Sequence, residues 1–223
     1  AGVVSGGMRG PAEGFQSFLT DTGTIVLNCF VLLALLFFAE FVVQKIILRR
    51  VNNNHAIHGG NTAVGFAEFG SYVATGLIAF GSFSGEGGGW ETALGFFLLG
   101  QAVLVLFAII YEWVTPFNVI DQIEKSNPAA GLILGGTLVA FGIILCFAIT
   151  GPFTGWVEGL MGFTRSAAIG IVLLIPFQFL IDKAFLPNTT LKIEIERDQN
   201  VAATAVTVSS QVALAIMIGA LVG

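Results

Sequence analysis

Residues 127–150 read NPAAGLILGGTLVAFGIILCFAIT, and this stretch decides the fold class. Between positions 129 and 151 no residue is charged. A helix that crosses the ~30 Å hydrocarbon layer of a bilayer needs about 20 consecutive apolar residues. The stretch therefore predicts a transmembrane helix over 129–151.

Five further stretches have the same character, and they cover 24–48, 61–82, 90–114, 156–183 and 201–223. The chain has 223 residues, of which 55% are hydrophobic and only 10% charged, and its mean hydropathy is +0.89. A soluble domain carries roughly 25% charged residues. We therefore predict an all-α polytopic membrane protein with about six transmembrane helices and the lipid bilayer as its surroundings. The small, dispersed net charge of −5 argues against a nucleic-acid partner.

Lysine and arginine residues lie mainly on one side of the predicted membrane domain. They cluster in or beside the connectors 49–60, 115–128 and 184–200, whereas the loops 83–89 and 152–155 contain none. Because basic connectors stay in the cytoplasm, both termini are predicted to be extracytoplasmic. Residues 1–23 then form an extracytoplasmic tail before a membrane domain at 24–223. Within the last connector, the alternation in LKIEIE (191–196) predicts a short strand at the membrane surface.

The even-numbered helices begin with a shared motif, Asn, one variable residue, then Ala. Its copies are Asn61 with Ala63, Asn127 with Ala129, and Asn200 with Ala202. The asparagines are 66 and 73 residues apart, which is the length of one helical hairpin. The spacing predicts three hairpin repeats at 24–82, 90–151 and 156–223, arranged as a pseudo-threefold bundle or as a row.

The motif has two interpretations. Asparagine is a strong helix N-cap, Pro128 suits the first helical position, and alanine lets helix backbones approach closely in lipid. The structural interpretation is therefore a set of three capped, closely packed helices. In the functional interpretation, three helix N-termini gather at the cytoplasmic face and bind an anionic headgroup or solute.

A polar or acidic lead before Asn-x-Ala occurs in IEKSNPAA (123–130) and IERDQNVAA (195–203). This pattern, in repeated two-helix units over roughly 24–223, resembles the domain-of-unknown-function family 350 of bacterial inner-membrane proteins, which includes YjfL-type proteins. The copy IHGGNTA (57–63) departs from the pattern because it lacks the acidic lead. The resemblance implies a location in the bacterial inner membrane and a scaffold role, and it supplies no catalytic residues.

Glu40, Glu68, Gln101 and Arg165 are polar residues that fall deep inside the predicted spans, and Gln178 and Gln211 are further candidates. A charged side chain near the bilayer centre costs about 2.5–3.5 kcal/mol on insertion scales. We predict that Arg165 faces protein and contacts Glu40, Glu68 or Gln101, directly or through water, which would make the cluster a structural ion pair. The alternatives are a proton or cation site formed by the two glutamates, and contact of these side chains with lipid headgroups.

Nucleotide-binding, zinc-protease, serine-hydrolase and haem motifs do not occur in this sequence. His55 and His58 are too few for a metal site and fit a solvated loop. We therefore expect no enzyme activity, cofactor or metal. The predicted function is a scaffold or accessory subunit, either a homo-oligomer or part of a larger membrane complex. The alternatives are a small-ion or proton channel or secondary transporter, and a lipid-binding protein.

Overall fold

The computed structural model describes residues 14–48, 53–85, 87–185 and 189–222. In these ranges six helices are long and apolar enough to cross a membrane: α1 (Gly14–Ile46), α3 (Thr62–Ser84), α4 (Trp90–Val114), α6 (Pro128–Thr150), α7 (Trp156–Phe185) and α9 (Val201–Val222). Three short helices precede α3, α6 and α9: α2 (Asn53–His58), α5 (Val119–Glu124) and α8 (Leu191–Glu196). The predicted all-α membrane fold is confirmed.

The start of the first span differs from the prediction. Helix α1 begins at Gly14, ten residues before the predicted start at position 24. The boundary expected for the N-terminal tail at residue 23 thus falls inside a helix. Residues 1–13, which make up most of that predicted tail, lie outside the described residues.

The LKIEIE segment forms α8, so the predicted surface strand is wrong. Thr190 caps the helix, because its hydroxyl oxygen accepts a hydrogen bond from the Ile193 amide at 3.3 Å. Leu191 and Ile195 are four residues apart and both are buried, whereas Ile193 is exposed. Over six residues the apolar alternation fits either period, and burial of the pair on one helical face decides for the helix.

Helix α6 lies in the middle of a row, between α3 on one side and α9 on the other. Helix α4 packs on α3 and α6, and α7 packs on α6 and α9. Helices α3, α6 and α9 therefore lie in a row, and the three-hairpin repeat stays a prediction. Helix α1 is the least covered of the six, since only 12% of its most apolar 18 residues are buried, against 61% for α6.

Helices α3 and α6 touch through their backbones. A Cβ atom on Gly131 would overlap the carbonyl group of Ala63, and one on Gly70 would overlap the backbone of Gly135. Apolar side chains gain no hydrophobic free energy when they move from lipid into a helix interface. Helix association in a bilayer therefore depends on close van der Waals contact at small residues. These glycines are therefore required by the approach of a neighbouring helix.

Candidate functional site

The three Asn-x-Ala motifs lie at one end of the molecule, formed by α2, α5, α8 and the starts of α3, α6 and α9, which we call the cap end. Each asparagine side-chain oxygen accepts hydrogen bonds from the amides two and three residues later. The distances are 3.0 and 3.2 Å for Asn61, 3.1 and 3.4 Å for Asn127, and 3.1 Å for both bonds of Asn200. The structure thus places all three asparagines at helix N-caps.

The residue before each capping asparagine has a left-handed backbone. The φ angle is 78° at Gly60, 60° at Ser126 and 48° at Gln199. This residue turns the chain from the short helix into the long one. For a non-glycine residue the left-handed conformation costs roughly 1–2 kcal/mol, and Ser126 and Gln199 carry no sequence signal for it. The turn geometry was therefore missed by the sequence analysis.

The amide nitrogens of two of these asparagines connect neighbouring hairpins. Asn61 Nδ2 donates to the carbonyl oxygen of Ile123 at 3.3 Å, and Asn127 Nδ2 donates to that of Ile195 at 2.6 Å. Both acceptors are the fifth residue of a short helix, in α5 and α8 respectively. Asn200 Nδ2 donates instead to Glu194 within its own connector, at 2.8 Å. Each of the first two caps therefore also fixes the short helix of the hairpin that follows.

Glu68 and Gln101 each contact a different neighbouring helix. The Gln44 side-chain amide donates to Glu68 Oε1 at 3.2 Å, which joins α1 to α3. The Thr75 hydroxyl donates to Gln101 Oε1 at 3.4 Å, which joins α3 to α4. Glu68 and Gln101 are both buried. Their observed contacts tie helices together in pairs.

A second buried polar group joins α6, α7 and α9. The Thr137 hydroxyl donates to Gln211 Oε1 at 2.9 Å, and Gln211 Nε2 donates to Gln178 Oε1 at 3.2 Å. The Tyr111 hydroxyl of α4 is buried beside Thr137 and Gln178. Gln211 is fully buried and is the only one of these residues bonded to two others. It is thus the centre of this group.

We expect Gln211→Leu to lower the free energy of unfolding by about 1–3 kcal/mol. The change removes two interhelical hydrogen bonds, and such bonds contribute about 0.6 and at most about 1.7 kcal/mol each in membrane proteins. Thermal unfolding in mild detergent measures the loss. Ser210→Ala is the control, because the Ser210 hydroxyl bonds only to a carbonyl of its own helix. Equal melting temperatures for the two variants would contradict a structural role for Gln211.

Arg165 does not join the predicted intramembrane cluster. Its side chain is exposed on α7, and no hydrogen bond or ion pair links it to another described residue. The structure thus shows no direct contact of Arg165 with Glu68 or Gln101, and a contact through water stays a prediction. Their positions along the predicted spans put these residues at similar depths in the membrane. Depth alone does not determine the direction in which a side chain points from its helix. The side chain of Glu40 lies outside the described part of the chain, so its contact with Arg165 stays a prediction.

Arg197 and Asp198 form an exposed ion pair at the cap end. The Arg197 guanidinium donates hydrogen bonds of 2.7 and 2.8 Å to the Asp198 carboxylate, and these bonds lower the pKa of Asp198 from its ordinary value. Both side chains are exposed, and such surface pairs contribute little to stability. His55 and His58 lie on α2 and are exposed as well.

Two clefts lie at opposite ends of the helices. One, of about 600 Å³, lies between α1, α4 and α5 at the cap end and is lined by residues that include Ile47, Glu112 and Trp113. The other, of about 200 Å³, lies at the far end beside the stacked rings of Phe96 and Trp156 and is lined in part by Phe163. The two clefts share no lining residue. They are therefore separate surface features.

Comparison with known proteins identifies relatives in bacterial membranes. The family model described as Domain of Unknown Function (DUF350) matches residues 1–83 and 85–222. A UPF0719 transmembrane protein of Aquifex aeolicus is 22% identical over 193 residues, which cover 82% of this chain and 69% of the relative. The UPF0719 inner membrane protein YjfL of Escherichia coli K12 is 38% identical over 53 residues, 24% of this chain and 40% of YjfL. No solved structure matches the chain.

Proposed function

This chain belongs to the DUF350 family of membrane proteins, and from that premise we propose that it is a non-catalytic assembly subunit, a scaffold that binds other membrane subunits. We further propose that it lies in the bacterial inner membrane with both termini extracytoplasmic. The named location of the YjfL relative supports the first part of this placement. The clustering of lysine and arginine in alternate connectors supports the second.

The observation that carries the proposal is the filling of the helix row. The contact of α3 with α6 brings backbones together at Gly70 and Gly131, which leaves no space between these helices. Glu68, Gln101 and Gln211 accept or donate hydrogen bonds across helix boundaries. Polar groups arranged in this way stabilise packing. A solute pathway would instead need polar groups that line a continuous cavity.

A second observation is the large apolar surface of the single chain. Only 12% of the most apolar 18 residues of helix α1 are buried. Exposed phenylalanines, among them Phe30, Phe37 and Phe41, lie along this helix. Lipid covers such residues in isolation, and a partner helix covers them in an assembly. The exposed apolar side of α1 is therefore available for contact with a partner helix.

Ion handling is the second candidate function, and Glu68 is the residue that favours it. Its side chain is buried within a transmembrane helix, where ionisable groups commonly mark proton or cation pathways. In that case the contact with Gln44 would orient the Glu68 carboxyl group. The two candidate functions differ in whether the purified chain moves ions across a membrane.

We expect the protein in sealed vesicles to produce no flux of protons, sodium or potassium above that of protein-free vesicles. The reason is the absence of open space along the α3–α6 contact in the described residues. Flux is measured with a pH-sensitive dye and with ion-selective dyes. In parallel, the mass of the particle extracted with native lipid is measured and is expected to exceed the 23.4 kDa of one chain.

Glu68→Gln provides the matched control, because it keeps the side-chain shape and removes the carboxyl group. Protein-dependent flux that Glu68→Gln abolishes would overturn the scaffold proposal in favour of ion handling. A particle that contains a single chain and no other protein would also contradict it. No flux with a multi-subunit particle is the expected combination.

A further inference from the structure

The two contacts of α6 share one register. Gly70 of α3 and Gly136 of α6 each lie nine residues after their capping asparagine, and each contacts a residue eight positions after the next one, namely Gly135 and Val208. The same one-residue offset is found near the far end of the helices, where position 20 after one asparagine contacts position 19 after the next. The pairs are Gly81 with Cys146 and Phe147 with Gly219. Helix α3 therefore packs on α6 in the same register as α6 packs on α9.

Positions 2, 9, 13 and 20 after the asparagine form the side that packs on the next helix, which we call the outgoing face. In α3 this face is buried, and it consists of Ala63, Gly70, Ala74 and Gly81. In α9 the corresponding residues are all exposed, and they are Ala202, Ser209, Ala213 and Ala220. The last helix of the row thus carries an outgoing face of small residues that nothing in the described chain covers.

Positions 4, 8, 15 and 19 form the opposite side, which we call the incoming face. In α6 it is buried and consists of Gly131, Gly135, Gly142 and Cys146. In α3 it consists of Gly65, Phe69, Gly76 and Phe80. Phe69 and Phe80 are 65% and 62% exposed, and a Cβ on Gly65 or Gly76 would meet nothing within 4 Å. Helix α3, the first of the row, therefore carries an incoming face that no described residue covers.

The cap end shows the same difference between the first hairpin and the others. Ile123 and Ile195, at the fifth position of α5 and α8, are fully buried, and each accepts a bond from the asparagine of the preceding hairpin. Ile57 is the fifth residue of α2 and is 43% exposed. Within the described residues no asparagine of a preceding hairpin reaches its carbonyl oxygen.

From these registers we infer that copies of this chain associate head to tail in the membrane, with the outgoing face of α9 against the incoming face of α3 on the next copy. The inference rests on the proposed function, because it identifies the partner of the scaffold as a second copy of the same chain. The small residues of α9 leave room for Phe69 and Phe80, while Gly65 and Gly76 allow close approach. The contact joins unlike surfaces, so it closes a ring or extends the row.

Continuity with the two interfaces inside the chain favours a second copy over lipid. In both interfaces the occupant of an outgoing face is the incoming face of the next helix in the row. Helix α4 also packs on α3, and α7 on α6, so the first helix of a hairpin packs on the second helix of the hairpin before it. Helix α1 would find that neighbour in α9 of another copy, which accounts for its low burial. Parallel helices keep every copy in the same membrane orientation.

Disulfide cross-linking in native membranes tests the inference. In the full chain with Cys29→Ala and Cys146→Ala, the double variant Ser209→Cys with Phe69→Cys places thiols at positions 9 and 8 of the two faces. Oxidation is expected to convert most of the protein into a ladder of covalent dimers, trimers and larger species on a non-reducing gel. Each single cysteine variant is expected to remain monomeric.

The control pair is Leu180→Cys with Phe69→Cys, because Leu180 is exposed on α7 outside both faces. It is expected to stay monomeric, which excludes random collision. A double variant that stays monomeric, or a ladder equally strong in the control pair, would overturn the inference. Covalent dimers from Ser209→Cys alone would also overturn it, because they require a symmetric contact.

A second variant separates assembly from folding. Ala213→Phe adds bulk to an exposed site of α9 and is expected to reduce the particle extracted with native lipid to single chains at an unchanged melting temperature. Leu180→Phe should leave the particle intact. Cross-linked oligomers together with ion flux would support this inference and contradict the proposed function. No cross-linked oligomers, together with other proteins in the particle, would contradict this inference and support the proposed function.

Discussion

Gly131→Ala is expected to destabilise the chain by about 3 kcal/mol or more and to lower the yield of folded protein sharply. The added methyl group would overlap the backbone carbonyl of Ala63, which cannot move without shifting α3 as a whole. Overpacking inside a close contact typically costs about 1–3 kcal/mol, and more where backbone must shift. Thermal unfolding in mild detergent and the monodisperse fraction on gel filtration measure the loss.

Gly162→Ala is the matched control, since Gly162 also lies inside a long helix but a Cβ there meets nothing within 4 Å. Alanine is favoured over glycine within a helix by roughly 0.5–1 kcal/mol, so this variant should melt at the same temperature or slightly higher. If Gly131→Ala behaved like Gly162→Ala, the close contact of α3 with α6 would not exist in the folded protein.

The transmembrane spans were predictable because lipid imposes length and hydropathy on each of them. Predicted and observed limits agree within two residues for five of the six spans, and only the start of α1 differs by more. Asparagine before an apolar run also identified the starts of α3, α6 and α9, because few side chains satisfy the free amides of a first helical turn. Local chemistry and the solvent determine both features.

Features that depend on the relative rotation of helices were not predictable. Arg165 and Glu68 fit one another by depth, yet Arg165 is exposed, because a nearly uniform apolar composition leaves the direction of a helix face undetermined. The hydrogen bonds that Asn61 and Asn127 donate to the next hairpin depend on partners more than 60 residues away. The six-residue helices are too short to show a period that separates helix from strand.

Asn127→Ala is expected to lower the free energy of unfolding by about 2–4 kcal/mol, the largest effect of any change at the cap end. Loss of an N-cap costs about 0.5–2 kcal/mol. The variant also strands the buried carbonyl of Ile195, which accepts from Asn127 Nδ2 at 2.6 Å, and an unsatisfied buried acceptor costs about 1–3 kcal/mol. Denaturant or thermal unfolding of the purified chain measures the sum.

Two comparisons divide this effect into its parts. Asn127→Ser keeps a capping oxygen and removes the donor to Ile195, so it should retain the capping part and lose the interhairpin part. Asn200→Ala should cost only about 1 kcal/mol, because Asn200 caps α9 but donates to a side chain of its own connector. Equal losses for Asn127→Ala and Asn200→Ala would mean that the bond to Ile195 adds nothing. The order expected from the structure is Asn127→Ala largest, with Asn127→Ser and Asn200→Ala both smaller, because only Asn127 is a fully buried cap that also holds the next hairpin in place.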